Sequence, residues 1–262
     1  MTLSLSPADL AKKAAADRAV DFVQDGMRLG LGTGSTAAFM VKRLGERVRQ
    51  EGLRVVGVPT SSRTAALARA EGIRVVTLDQ AGWLDLTIDG ADEFDPDLTL
   101  VKGGGGAHLQ EKVVAAASDR MIVISDAGKR VGQLGAFPLP VEVLNFGLKS
   151  SIRHLERVLA DLGYGGCAIT RRQAGGHDFV SDEGNAILDL HLEAISDAPR
   201  LAVALNQIPG LVENGLFIRM ADLVVIGNPD GTSELIEAAP GTLAAMQAPR
   251  DRQAAPFADI AE

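Results

Sequence analysis

From residue 27 onward the chain alternates short runs rich in Val, Ile and Leu with stretches of helical composition, and that rhythm restricts the fold more than any other feature. The apolar runs lie at 27–32, 53–58, 73–78, 84–89, 98–102 and 121–126. Helical stretches ending near Gln50 and spanning 64–72 and 107–118 separate them. Strands that alternate with helices in this way predict βαβ units and a parallel sheet covered on both faces. The rhythm breaks at residues 137–143, FPLPVEV, whose two prolines disfavour a central strand. Residues 144–208 read as one helix, IRHLERVLADLG, followed by alternating runs, CAITRR and NAILDLHL, around a glycine turn. That pattern suits a small α+β unit with an antiparallel sheet. A buried-type run, DLVVIG at 222–227, then restores the first pattern. The expectation is an α/β chain with a doubly wound, mostly parallel sheet. Its main domain is discontinuous, 1–136 and 209–262, and a smaller α+β domain at 137–208 is inserted in it. Ser6, Pro7 and Asp9 mark a helix start near the N-terminus. The Ala/Pro-rich residues 239–262 are expected to fray.

Composition narrows the function. A formal charge of −8 argues against nucleic acid and anionic membrane, which attract basic surfaces. Cys167 is the single cysteine, so no intramolecular disulfide and no thiolate cluster can form. The histidines, His108, His154, His177 and His191, have no metal-site spacing, so no metal and no cofactor are expected. No apolar stretch reaches the ~18 residues of a membrane span. The first residues also lack the basic-then-apolar order of a signal peptide. A cytoplasmic enzyme acting on a small molecule is expected. Glycine is in excess, 29 of 262 residues, and its placement is informative.

In an open α/β sheet, ligands bind beyond the carboxyl ends of the strands. After the first run comes Gly30-Leu31-Gly32-Thr33-Gly34-Ser35-Thr36, which reads as a phosphate cradle at a helix start or as an ordinary tight turn. It is no dinucleotide fingerprint, because Ser35 stands in place of the third glycine. After the second run, Thr60, Ser61 and Ser62 favour helix capping over ligand contact. Asp89-Gly90-Ala91-Asp92-Glu93 comes after LDLTI, at the end of the run at 84–89. Two carboxylates three residues apart can be tuned to different protonation roles. Asp95 and Asp97 read as a solvated acidic turn. Lys102-Gly103-Gly104-Gly105-Gly106 then places a cation beside backbone N–H groups, fit for an oxyanion, and Glu111 in the next helix can serve as a base. Lys129 follows the run at 121–126. A cradle, two lysines and three carboxylates on one sheet edge match proton transfer beside a carbonyl in a phosphorylated small molecule.

At these residues the chain closely resembles the A-type ribose-5-phosphate isomerase family. GLGTGST, TSS, TIDGADE, VKGGGGA with the following EK, and SDAGK occur in the family's order and spacing, and the likeness covers roughly residues 8–238. The resemblance implies interconversion of ribose 5-phosphate and ribulose 5-phosphate without metal or cofactor. It also implies a Rossmann-like domain with a small α+β domain, assembled as a homodimer or a dimer of dimers. By the same resemblance the sugar-phosphate loop falls on Thr33, Gly34, Ser35 and Thr36, and the acidic turn on Asp89, Gly90, Ala91 and Asp92. The lysine–glycine turn falls on Lys102, Gly103, Gly104 and Gly105, the proton-accepting glutamate on Glu111, and a further substrate lysine on Lys129. Gln110 and Gly128 depart from the residues common in the family and remove no catalytic group.

Overall fold

The computed structural model describes residues 5–248 and 256–260. In chain order the strands are β1 (Arg28–Leu31), β2 (Val56–Pro59), β3 (Arg74–Val75), β4 (Leu86–Gly90), β5 (Glu93–Phe94), β6 (Leu100–Val101), β7 (Met121–Asp126) and β8 (Leu139–Val143). Then come β9 (Ala168–Arg171), β10 (Gln173–Ala174), β11 (His177–Asp178), β12 (Ala186–His191), β13 (Leu211–Asn214), β14 (Leu216–Phe217), β15 (Leu223–Gly227) and β16 (Ser233–Glu237). The helices are α1 (Pro7–Val20), α2 (Ser35–Glu51), α3 (Ser62–Ala70), α4 (Leu78–Ala81), α5 (His108–Ala116), α6 (Leu148–Asp161), α7 (Ala198–Asn206) and α8 (Thr242–Gln247). Helix α1 starts as expected: Pro7 occupies its first turn and the Ser6 hydroxyl accepts from the Asp9 N–H at 3.1 Å.

The described residues form two compact units. The first draws on Met1–Gly90, Gln110–Lys129 and Met220–Glu262, the second on Ala91–Leu109 and Arg130–Arg219. In the first, a sheet ordered β16-β15-β7-β4-β1-β2-β3 is parallel throughout except for β16, which pairs antiparallel with β15. Because side chains alternate across a sheet, each strand serves two cores. Leu29, Leu31, Leu86, Ile88, Ile122, Ile124, Leu223 and Val225 pack with Ala15, Ala19, Met40 and Leu44 of α1 and α2. Val56 and Val58 pack the other way, against Val114 of α5 and Ile260. The described residues among 239–262 therefore do not simply fray. Met246 and Ile260 are buried, and Asp259 forms an ion pair with Arg28 at 2.6 Å, so the described part of this tail is anchored to the first unit.

The second unit takes in more chain than residues 137–208, because 91–109, 130–136 and 209–219 also group with it. The run at 98–102 is no member of the parallel sheet. It forms β6, which pairs antiparallel with β5 on one side and β14 on the other. A four-stranded antiparallel sheet, β13-β8-β12-β9, packs its apolar face with α6 and α7 through Leu139, Val141, Val143, Leu155, Leu159, Leu201 and Leu205.

The two prolines of FPLPVEV do not exclude a central strand: β8 has partners on both sides. Pro138 precedes the strand, and Pro140 lies opposite Asp189 of β12. The Pro140 carbonyl accepts from the Gly215 N–H at 2.8 Å. In an antiparallel strand the N–H and C=O of one residue point to the same side. The donor that Pro140 lacks would therefore have faced Gly215, and not β12. The Gly215 carbonyl is satisfied instead by the Lys102 N–H at 2.9 Å.

Two residues after Pro140 in β8, Glu142 is fully buried. Its Oε1 accepts from Ser181 Oγ at 2.7 Å and Asn185 Nδ2 at 2.9 Å, while Oε2 has no hydrogen-bond partner among the described residues. Burial pushes this carboxyl above its ordinary value, with Glu183 and Glu213 adding to the rise and the two hydrogen bonds opposing it. A raised folded-state value favours the folded form at low pH and penalises it as pH rises through that value. Glu142→Gln should therefore raise the melting temperature at pH 7–8 by ~2–4 °C. The gain should shrink as pH falls toward the ordinary glutamate range near ~4.3. Thermal unfolding of both proteins across that pH range checks this, and a gain that is constant with pH would contradict it.

Candidate active site

The first unit's sheet reverses its strand order between β1 and β4. From β1 the chain moves outward to β2 and β3, and from β4 it moves the other way to β7 and β15. Such a switch point leaves an opening at the carboxyl ends of the two central strands. Beyond β1 the chain runs through Gly32, Thr33 and Gly34 and enters α2 at Ser35. No side chain caps this helix start at Gly34, so Ser35 and Thr36 lie where backbone N–H groups and the helix dipole favour an anion.

Near the carboxyl end of β4 stands Asp89, fully buried. Its Oδ1 accepts from the Thr33 N–H at 3.1 Å and the Gly90 N–H at 2.7 Å. Only a bare Cα allows this approach, since a Cβ on Gly32 would lie 2.1 Å from Asp89 Oδ1.

Hydroxyls complete this edge. The Thr33 Oγ1 lies 2.8 Å from Thr60 Oγ1 and donates to Ser61 Oγ at 2.8 Å. Ser61 passes a hydrogen bond to Thr64 Oγ1 at 3.1 Å, and Thr64 donates to the Gly32 carbonyl at 3.1 Å. Ser61 also accepts from the Thr64 N–H at 3.1 Å and so caps α3. The capping expected of this segment is present, and the same hydroxyl holds Thr33.

Glu111 lies in the first turn of α5 and is buried. That turn sits at the carboxyl edge, because the other end of α5 lies at the amino edge, where the Ala117 carbonyl accepts from the Leu84 N–H just before β4 at 2.8 Å. Lys129 ends the short 3-10 turn Ala127–Lys129 that follows β7, and it is half-buried. Thr33, Gly34, Ser35, Thr36, Asp89, Gly90, Glu111 and Lys129 thus share the carboxyl edge of one sheet.

The second unit holds the remaining expected residues. Ala91 is half-buried, and the Asp92 N–H donates to the Val101 carbonyl at 2.8 Å. The Asp92 Oδ2 accepts from the Gly104 N–H at 2.7 Å, which joins the acidic turn to the glycine turn. Lys102 is 2% exposed, and its Nζ lies 5.3 Å from the centre of the Phe217 ring, in range for a cation–π contact. The turn closes where the Gly106 N–H donates to the Gly103 carbonyl at 2.9 Å. Gly104 and Gly105 are exposed at its tip.

Several residues here carry no sequence signal of their own. His108 is buried at the start of α5 with Nε2 3.4 Å from the Glu213 carbonyl, and Gly215 and Phe217 frame Lys102. Among the described residues, no three His, Cys, Asp or Glu side chains come together as a metal-binding group. No described helix is long and apolar enough to cross a membrane.

Residues 56–231 match the family model for ribose 5-phosphate isomerase A, also termed phosphoriboisomerase A. The chain is 60% identical over 243 residues to the ribose-5-phosphate isomerase A of Ruegeria pomeroyi, which covers 93% of each chain. It is 59% identical to that of Cereibacter sphaeroides over the whole length of both. The solved structure of ribose 5-phosphate isomerase A from Methanocaldococcus jannaschii superposes with a TM-score of 0.80 at 40% identity, covering 88% of this chain and 100% of the other. With the match extending over both fold and sequence, the chain belongs to the ribose 5-phosphate isomerase A family.

Proposed function

We infer that this chain interconverts ribose 5-phosphate and ribulose 5-phosphate, the aldose–ketose isomerisation of the non-oxidative pentose phosphate pathway. The observation that carries the chemistry lies within one unit: an uncapped helix start and two buried carboxylates, Asp89 and Glu111, at the carboxyl edge of one sheet. The helix start takes the phosphate, with Thr33, Gly34, Ser35 and Thr36 around it. The carboxylates serve proton transfer away from bulk water.

The sugar ring must open before isomerisation. Asp89 moves the proton between the anomeric hydroxyl and the ring oxygen. Glu111 then removes the proton from carbon 2 of the aldose. The C–H electrons form the C1–C2 double bond, and the carbonyl oxygen on carbon 1 takes the negative charge. Lys102 offsets that charge. Within the glycine turn the Gly104 and Gly106 N–H groups are committed to Asp92 and Gly103, so donation to the oxyanion falls to Gly103 and Gly105. The O2 hydroxyl proton passes to O1, and Glu111 returns its proton to carbon 1, leaving the ketone at carbon 2. Gly90, Ala91 and Asp92 orient substrate hydroxyls, and Lys129 adds a cation for the substrate.

No metal or cofactor enters these steps. The setting is the cytoplasm, and the assembly is a homodimer or a dimer of dimers. In support of self-association, Phe146 is 93% exposed on the second unit, with Leu144 and Val180 also exposed. Native mass spectrometry should give two or four chains per particle.

A positioned base is worth ~10²–10⁴ in rate. Glu111→Gln should therefore lower kcat by that factor while KM stays within a few fold. Steady-state kinetics of ketose formation from ribose 5-phosphate check it, and near-normal turnover would remove Glu111 from the role of base. Exhaustive chelation should leave turnover unchanged; activity that is lost and then restored by divalent ions would overturn the metal-free reading.

A further inference from the structure

Arg171 and Arg172 are neighbours at the end of β9, and their side chains take different partners. Arg171 pairs with Asp178 at 2.6 Å. Arg172 instead grips the glycine turn of its own unit. Its Nη1 donates to the Gly103 carbonyl at 2.5 Å and to the Gly104 carbonyl at 3.2 Å. Its Nε donates to Asp189 Oδ2 at 3.0 Å, and its Nη2 pairs with Asp189 Oδ1. Side-chain exposures of 13% and 16% for Arg172 and Asp189 make this a largely desolvated pair. Arginine's planar fork allows one edge to face a carboxylate while another N–H reaches backbone carbonyls.

Peptide geometry states what this grip accomplishes. In a trans peptide the carbonyl of one residue and the N–H of the next point in opposite directions. Turning the Gly103 carbonyl toward Arg172 therefore aims the Gly104 N–H away from it, where Asp92 Oδ2 accepts it at 2.7 Å. Turning the Gly104 carbonyl toward Arg172 aims the Gly105 N–H away as well, at the exposed tip of the turn. Consecutive glycines have the largest backbone freedom of any sequence, so an unheld turn would spread over many peptide orientations.

We propose that Arg172, held by Asp189, is a positioning residue for the isomerisation: it fixes the peptide planes after Lys102 so that the Gly105 N–H is preset as an oxyanion donor. This rests on the role given above to the lysine–glycine turn. Loss of one preorganised oxyanion donor costs ~10²–10³ in kcat.

The test uses the full chain with ribose 5-phosphate. Arg172→Ala should lower kcat by about 10²-fold with KM within a few fold of wild type. Millimolar methylguanidinium should restore at least a tenth of the lost rate in that variant and leave the wild type unaffected. A kcat close to wild type, or a loss that tracks the folded fraction and resists methylguanidinium, would overturn the proposal. If Arg172→Ala does not fold, Arg172→Lys decides: it keeps the charge and lacks the fork, so kcat should fall at least tenfold at unchanged KM, and wild-type kcat would overturn the proposal. Lys102→Met, assayed in parallel, separates the two readings. An inactive Lys102→Met beside a fully active Arg172→Ala removes only the positioning role, whereas an active Lys102→Met removes the role of the whole turn and this proposal with it.

Discussion

A buried carboxylate that bonds the ends of two adjacent strands determines how the first unit's carboxyl edge is built. Asp89 has no exposure, and a buried carboxylate is costly unless hydrogen bonds replace its water. Two backbone donors do so, Thr33 N–H and Gly90 N–H. One comes from the loop after β1 and the other from the end of β4, so the acid ties the two strands that flank the switch point. Other features follow from that tie. Residue 32 must be bare to admit the carboxylate, and Thr33 must hold its backbone toward Asp89 while its hydroxyl joins Thr60, Ser61 and Thr64. Helix α2 then begins at Ser35 without a side-chain cap, since Gly34 has none to offer.

The parts of this arrangement that were legible in the sequence share one property: they are local. Alternation of apolar runs with helices identifies β1, β2, β4, β7 and β15, because a parallel sheet buried on both faces leaves long apolar runs. Glycines, hydroxyls and acids at the ends of those runs mark the edge where Asp89, Glu111 and Lys129 stand. Local pattern fails where partners decide. The two-residue strand β6 has the composition of a buried parallel strand, yet its partners are β5 and β14, the latter more than a hundred residues away. Residues 239–262 read as fraying because nothing in their composition shows that Ile260 meets Val56 and Val58. Arg172 looks like any charged strand end. Its meaning lies in carbonyls 69 and 68 residues earlier in the chain.

Net charge illustrates the same limit. At −8 the chain has no general attraction for an anionic ligand. Helix N-termini and single cations act within a few ångströms, however, and in partly desolvated surroundings they outweigh distant charge that solvent and salt screen. The acidic total bears on solubility and on nucleic acid, while the affinity proposed for a sugar phosphate rests on local charge, such as Lys129 and the start of α2 in the first unit. The glycine excess belongs to the same logic, since glycine removes side chains where backbone N–H groups have to face outward.

The irregularity of β8 connects the fold of the second unit to its lysine. A strand residue other than proline at position 140 would offer an N–H to the Gly215 carbonyl, completing an ordinary antiparallel pair. Proline withholds that donor, and the carbonyl is taken by the N–H of Lys102. Gly215 is the residue that admits this crossing, since a Cβ there would lie 2.3 Å from the Lys102 carbonyl oxygen. Two residues further on, Phe217 pairs with Leu100 and sets its ring beneath the Lys102 ammonium. A missing hydrogen bond in one sheet is thus replaced by a bond to the first residue of the glycine turn. The proline that argued against a central strand serves in the structure to leave room for the backbone of Lys102, the lysine to which the proposed chemistry assigns the oxyanion.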